Sequence, residues 1–155
     1  MSARENPNAR VVALRLLRRR DYTVAEMREK LIARGGDADD INTTIDGLIA
    51  EGLLDDRRVA SAHLRTAARV KGRGRLRIAR ELAARGIAPD IVEDTVASLS
   101  DEEEASAVER LLVRKRLPPR MSMPERRRLF QQLLRRGFRA DVIAKVLRLR
   151  QEDQP

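Results

Sequence analysis

The sequence predicts an all-α protein built from three tandem three-helix repeats. The pattern Leu-x-x-Arg-Gly occurs three times, and its glycines, Gly35, Gly86 and Gly137, are 51 residues apart in both intervals, which indicates an internal repeat. Apolar residues recur at helical spacing along the chain, whereas aromatic residues, which favour strands, make up only 2% of it. We place the three units at residues 9–54, 55–99 and 100–150.

The first unit contains a helix followed by two helices with clear boundary residues. Thr23 and, three residues later, Glu26 form a capping box that starts the second helix. Gly35 suits the left-handed position that ends this helix. Asp39 or Asp40 is expected to cap the third helix. The expected apolar faces of these two helices are Val24, Met27, Leu31 and Ile32, and Ile41, Ile45, Leu48 and Ile49.

The second unit begins at Asp55-Asp56, where acidic residues suit a helix N-terminus. Its second helix carries Ile78 and Leu82 and ends at Gly86. Pro89 is tolerated in a first turn and opens the third helix. One face of its first helix is expected to carry Val59, His63, Thr66 and Val70, and the third helix carries Ile91, Val92, Val96 and Leu99.

The third unit has two further capping boxes. Ser100 with Glu103 starts its first helix, which Pro118-Pro119 is expected to stop, and Ser122 with Glu125 starts its second. The expected core positions are Val108, Leu111, Leu112, Leu129, Phe130, Leu133, Leu134, Val142, Ile143, Val146 and Leu147.

Composition limits the possible functions. The chain lacks cysteine and has one histidine, His63, so we expect no disulfide, no metal site, no cofactor and no catalytic role. His63 is expected to be a half-buried filler on a helix face. The acidic pairs lie at helix starts, where capping explains them. The absence of a long apolar run and of a charged-then-apolar leader predicts a soluble, cytoplasmic protein without membrane contact.

The charge is strongly positive and unevenly distributed. The 33 basic and 24 acidic residues give a formal charge of +9 at pH 7, which favours a polyanionic partner or an acidic protein surface. A genome rich in G and C would give the same excess of arginine. The net charges of the first, second and third units are 0, +4 and +7. The polyanion-facing surface is therefore predicted on the second and third units.

The most concentrated basic segment, which we call the elbow, covers residues 69–77 between the first two helices of the second unit. It contains two glycines, but the Lys-Ser/Thr of a Walker loop and the preceding strand of a dinucleotide loop are both missing. We therefore expect an exposed linker that aims several cations one way. The elbow cations are Arg69, Lys71, Arg73, Arg75 and Arg77.

Further basic residues complete the predicted binding surface for nucleic acid or a nucleoprotein filament. Any one of these clusters could instead be a solvated helix face. The candidates outside the elbow are Arg65, Arg114, Lys115, Arg116, Arg127 and Arg135.

The residues resemble the RecX family, the regulators of the RecA recombinase. The strongest resemblance covers residues 52–87, with the Leu-Asp-Asp entry at 54–56, Arg65, the basic elbow, and Gly86-Ile87. The segment "RRDYTVAEMREKLIARG" is similar to the family's opening repeat. The resemblance implies an elongated, curved module that lies along the groove of a RecA filament on single-stranded DNA. It also implies inhibition of ATP hydrolysis, strand exchange and co-protease activity, by a monomer that binds DNA without sequence preference.

Two other interpretations remain open from the residues alone. Three-helix units also occur in helix-turn-helix proteins that read DNA sequence, although the third helices of the first two units are neutral or acidic. A helical scaffold that binds an acidic protein and no nucleic acid is the second alternative. The salt dependence of single-strand binding distinguishes them, because phosphate contacts release counterions.

Overall fold

The computed structural model describes residues 8–118 and 120–152. These residues form nine α-helices and no strand, which confirms the all-α prediction. The helices are α1 (Ala9–Leu17), α2 (Val24–Ala33), α3 (Ala38–Ala50), α4 (Asp56–Arg69), α5 (Arg75–Ala84), α6 (Pro89–Ala97), α7 (Asp101–Arg114), α8 (Met123–Arg135) and α9 (Ala140–Glu152). Within this described part of the chain, no helix has the length and apolarity needed to cross a membrane.

Each group of three consecutive helices surrounds its own apolar core. The first core contains Met27, Leu31, Ile41, Ile45 and Leu48. The second contains Val59, Ile78, Leu82, Ile87 and Leu99. The third contains Val108, Leu112, Leu133, Phe138 and Ile143. These separate clusters support the division of the chain at residues 54/55 and 99/100, which we retain as a proposal.

Most of the predicted helix boundaries follow from local chemistry. The three predicted capping boxes all form, at the starts of α2, α7 and α8. The prediction that Asp39 or Asp40 caps α3 was wrong. Asp37 is its cap and accepts from the backbone N–H groups of Asp39 and Asp40, while the Asp40 carboxylate accepts from Ala9 N at 3.1 Å. Helix α7 ends at Arg114, before the predicted proline stop, of which Pro119 lies outside the described residues.

The repeated Arg-Gly turn is the contact by which one unit stacks on the unit before it. Gly86 has a φ of 78° and Gly137 a φ of 88°. A Cβ on Gly86 would collide with Ala25 at the start of α2, and a Cβ on Gly137 would collide with Arg77 near the start of α5. The motif therefore does more than end a helix. It lets the backbone of each later unit approach the second helix of the preceding unit.

A carboxylate completes the same stacking arrangement at both junctions. At the first junction, Asp56 Oδ1 accepts from Val24 N, the first residue of α2, at 2.9 Å. At the second, Glu104 Oε1 accepts from Arg75 N, the first residue of α5, at 3.1 Å. Each carboxylate satisfies an N–H group that the helix itself leaves unpaired. It also lies at the positive end of the helix dipole.

The first junction is closed further by Arg85, which belongs to the Arg-Gly turn of the second unit. Its guanidinium donates to the two carboxylate oxygens of Glu26 at 2.9 and 3.2 Å. The Thr23 hydroxyl donates to Arg85 O at 2.8 Å. Burial acts to raise the pKa of Glu26, but the hydrogen bonds from Arg85 and from the Thr23 backbone outweigh it and leave that pKa below its usual range. The charged pair is therefore maintained at neutral pH.

Candidate nucleic-acid interface

The elbow is held against the third unit along its backbone. Gly74 N donates to Arg136 O at 2.8 Å, and Leu76 N donates to Gly137 O at 3.0 Å. Gly72 has a φ of 56° and packs so closely on Leu111 that a Cβ there would lie 2.7 Å from its Cδ2. The elbow is therefore part of the second junction and is fixed in direction, where the sequence suggested a free linker.

We expect Gly74→Ala to weaken this junction strongly, because a Cβ at residue 74 would clash with the backbone of Gly137 and Phe138. The backbone at Gly74, with a φ of −85° and a ψ of 169°, suits alanine, so the effect is steric. Overpacking of this kind costs about 1–3 kcal/mol.

The control is Gly47→Ala. Its new Cβ would lie 3.7 Å from the nearest neighbour, and a helical alanine is favoured over glycine by up to about 1 kcal/mol. Urea unfolding followed by circular dichroism measures both variants, and equal stability of the two would contradict the docked elbow.

Docking of the elbow creates an open basic depression of about 400 Å³, which we call the junction pocket. It combines side chains from the elbow, from the first turn of α5 and from the ends of α7 and α8. No carboxylate lines it among the described residues. Its lining residues are Lys71, Arg73, Arg77, Lys115, Gln132, Arg135 and Arg136. Six cations are therefore gathered around one depression.

One carboxylate behind the pocket orients two of its arginines. Glu81 Oε1 accepts from Arg73 Nη1 at 2.7 Å and from Arg77 Nε at 3.1 Å, and Oε2 is 2.8 Å from His63 Nε2. Burial acts to raise the pKa of Glu81, but hydrogen bonds from the imidazole and the two guanidinium groups outweigh it and leave the pKa below its usual range. Glu81 therefore stays ionised and fixes both arginines beside the pocket. His63, expected as a filler, is a partner of this carboxylate.

The other pocket residues are positioned by the third unit. Lys115 Nζ donates to Gln132 Oε1 at 2.8 Å. Arg136 Nη1 lies 3.3 Å from Lys71 O and 3.4 Å from Gly72 O, and donates to both. Lys71 and Arg135 are exposed. The pocket thus combines guanidinium groups held by hydrogen bonds with the exposed cations Lys71 and Arg135.

The expectation that Arg75 is exposed was wrong. Its guanidinium donates to Leu99 O, lies 3.2 Å from Asp101 Oδ1 and approaches Glu104 Oε2 at 3.8 Å. Only 16% of its side chain is exposed, and Glu104 is fully buried. Arg139 approaches the same two carboxylates from the third unit. The hydrogen bond from Arg139 holds the pKa of Asp101 below its usual range. We call this group of four charged residues the clamp.

The family follows from the sequence matches. Residues 9–48 match the model of the first three-helix domain of RecX, and residues 55–96 match that of the second. These matches cover more than half of the chain. The chain belongs to the RecX family.

Relatives named as regulatory protein RecX match along most of their length. The protein of Halorhodospira halophila is 35% identical over 147 residues, which cover 93% of this chain and 89% of that protein. The protein of Chromohalobacter salexigens is 36% identical over 126 residues, which cover 81% and 82%. Both carry the name of a regulatory protein rather than of an enzyme.

Solved RecX structures have the same fold. The crystal structure of RecX from Lactobacillus salivarius matches with a TM-score of 0.81 and 25% identity, over 91% of this chain and 93% of that chain. A second crystal structure of a regulatory protein RecX matches with a TM-score of 0.79 and 20% identity, over 89% and 70%.

Apart from Arg75, which belongs to the clamp, the predicted site residues of this RecX-family chain fall into three groups. Lys71, Arg73, Arg77, Lys115 and Arg135 meet at the junction pocket. Arg65 and Arg69 line a different groove between α4 and α7, together with Arg110 and with acidic residues of α7. The third group consists of predicted site residues that are exposed and lie outside both sites, namely Arg114, Arg116 and Arg127.

Sequence analysis selected Arg135 but not the adjacent Arg136, which also lines the junction pocket in this RecX-family chain. Arg136 corresponds to Arg34 and Arg85 in the Leu-x-x-Arg-Gly repeat. The repeat thus contained a signal for it, because the residue before each docked glycine faces the preceding unit. Gln132, one helical turn before, had no such signal.

Proposed function

We propose that this protein binds RecA recombinase filaments on single-stranded DNA and inhibits their ATPase, strand-exchange and co-protease activities. It would act as a cytoplasmic monomer in homologous recombination, DNA repair and the SOS response. Family membership supports the regulatory role. The junction pocket is the observation that carries the nucleic-acid part of the proposal, because its six cations converge where no lining carboxylate competes with phosphate within the described chain.

The chemistry of the pocket supports backbone contact without sequence readout. Phosphate contacts position a protein on nucleic acid, whereas sequence is read from base edges. The pocket offers guanidinium and ammonium donors, and Gln132 is its one uncharged lining residue. We therefore propose Lys71, Arg73, Arg77, Lys115, Arg135 and Arg136 as phosphate contacts. We keep Arg65, Arg69, Arg114, Arg116 and Arg127 as proposed filament contacts, and we remove Arg75, which is occupied by the clamp.

Sequence-specific binding through a recognition helix has less support. The third helices of the first two units, α3 and α6, contain acidic residues and no basic ones. The helix α9 carries Lys145, Arg148 and Arg150, so a basic third helix occurs once and is not repeated. A scaffold that binds only acidic proteins would show no steep salt dependence of single-strand binding.

The decisive experiment is RecA ATPase activity on single-stranded DNA with this protein added at increasing ratio. We expect hydrolysis to fall progressively as the added protein approaches the recombinase concentration. In a parallel titration without recombinase, binding of this protein to single-stranded DNA is measured at several salt concentrations. Unchanged hydrolysis at equimolar protein, with the filament still intact, would refute the proposed inhibition.

A further inference from the structure

A second basic depression lies on the first unit, at the N-terminal end of the described stack, where the net charge of the unit is zero. It has a volume of about 590 Å³ and is lined by the apolar residues Val12 and Leu16 and by four arginines, Arg15, Arg18, Arg19 and Arg34. We propose that this end pocket binds the acidic first turn of a helix from a protein partner. The proposal goes beyond the nucleic-acid contact assigned to the other two units.

The charges of the end pocket are unpaired within the described chain. None of its four arginines forms an ion pair with a described residue. One of them, Arg34, donates to the Lys30 carbonyl at 3.1 Å. The acidic residues of the first unit lie elsewhere, for example Glu51 on Arg10 and Glu26 on Arg85. The charge of the first unit is therefore distributed asymmetrically. Its net charge is zero, but arginines without an ion-pair partner among the described residues lie together at one end.

The repeat itself indicates what such a surface holds. Arg34-Gly35 occupies the position of Arg85-Gly86 in the next unit, and the two glycines have φ values of 77° and 78°. Arg85-Gly86 contacts the start of α2, where the half-buried Arg85 pairs with Glu26 and a Cβ on Gly86 would lie 2.4 Å from that of Ala25. In the described chain, no unit precedes the first one, so its Arg-Gly turn is exposed. The equivalent occupant is a helix start with a small residue at its second position and a glutamate at its third.

Charge and shape favour a protein segment over nucleic acid at this end. The end pocket differs from the junction pocket in its floor. Val12 and Leu16 line the end pocket, whereas the junction pocket has no apolar lining residue among the described residues. An apolar floor surrounded by arginines instead matches an amphipathic helix that presents carboxylates at its N-terminus and an aliphatic side chain below them. The negative charges at that end of a helix are also favoured by its own dipole.

The test uses the full chain and a fluorescein-labelled peptide helix of about 16 residues. The peptide begins Thr-Val-Ala-Glu, has glutamates in its first turn and leucines on one face, and its binding is measured by fluorescence anisotropy. We expect the triple variant Arg15→Ala, Arg19→Ala and Arg34→Ala to bind it at least tenfold more weakly, with single-stranded DNA binding changed less than twofold. These three side chains are exposed, so circular dichroism should show the same helicity as the parent.

A matched variant and a matched peptide separate the site from general charge attraction. Arg128→Ala, Lys145→Ala and Arg148→Ala remove the same charge from exposed positions of the third unit and should leave peptide binding within twofold. A peptide with its glutamates moved to the last turn should bind at least tenfold more weakly. The proposal is overturned if the parent protein does not bind the first peptide, or if both triple variants lose it equally. It is also overturned if the end-pocket variant loses DNA binding and keeps the peptide. Whether variants of the junction pocket lose recombinase inhibition tests the proposed function, and the outcome does not affect the proposal for the end pocket.

Discussion

Replacing Lys71, Lys115 and Arg135 together with alanine should sharply reduce binding to single-stranded DNA and to the recombinase filament. All three side chains are exposed and line the junction pocket. Among the described residues, the side chain of Lys115 makes one hydrogen bond, to the exposed Gln132. The fold should therefore be unaffected. Each lost phosphate contact lowers the dependence of log K on log salt by about 0.7 for single strands. The slope should fall by about 2, which is the quantity to measure by titration between about 50 and 200 mM salt.

The same charge loss elsewhere provides the control. In the variant with Arg128, Lys145 and Arg148 replaced by alanine, the removed cations belong to the third unit, as Lys115 and Arg135 do, but lie outside the pocket. Its slope should stay close to that of the parent protein. Suppression of recombinase ATPase should require a higher concentration of the pocket variant than of the control. If the two variants lose the same slope and the same suppression, net charge governs binding and the junction pocket has no special role.

The sequence was sufficient for the fold because its signals are local. Capping boxes such as Thr23–Glu26 involve residues three positions apart. The apolar spacing predicted most of the buried faces, although Ile32, Ile49 and Val70 were expected on them and are exposed. The repeat added the register of the three units. Misplacement of the α3 cap at Asp39 or Asp40 instead of Asp37 has the same local origin, since all three are acidic and lie within four residues.

The site was predicted only in part because its assembly depends on distant contacts. Arg75 and Arg77 look alike in sequence, two residues apart in a basic turn. One contacts Glu104, 29 residues further along the chain, and the other lines the pocket. Local composition contains no information on which carboxylate of another unit meets which arginine. The end pocket was missed for a related reason, since an average net charge of zero concealed arginines gathered at one end of the first unit.

The clamp should dominate the stability of the second junction, and Glu104→Gln should reveal it. The carboxylate is fully buried and accepts from the backbone of Arg75. Its second oxygen faces the Nε atoms of Arg75 and Arg139 at 3.8 and 3.7 Å. In the variant, an amide can keep one oxygen as acceptor but must turn an NH₂ donor toward two guanidinium groups. Breaking a buried ion pair from one side costs about 3–5 kcal/mol, and we expect a loss near the lower figure, because Asp101 still faces both arginines.

Urea unfolding is the appropriate measurement, since guanidinium salts would screen the charges under test. Glu102→Gln is the matched control, because Glu102 is an exposed neighbour on the same helix and exposed substitutions of this kind change stability by less than about 0.5 kcal/mol. Glu104→Gln should lower the urea midpoint. It should also make the third unit unfold before the first two, because each repeat depends on the interface with its neighbour. Hydrogen exchange should then be fastest in α7 to α9. A midpoint equal to that of Glu102→Gln would mean that the apolar contacts and the backbone hydrogen bonds from Gly74 to Arg136 and from Leu76 to Gly137 hold the junction without the clamp.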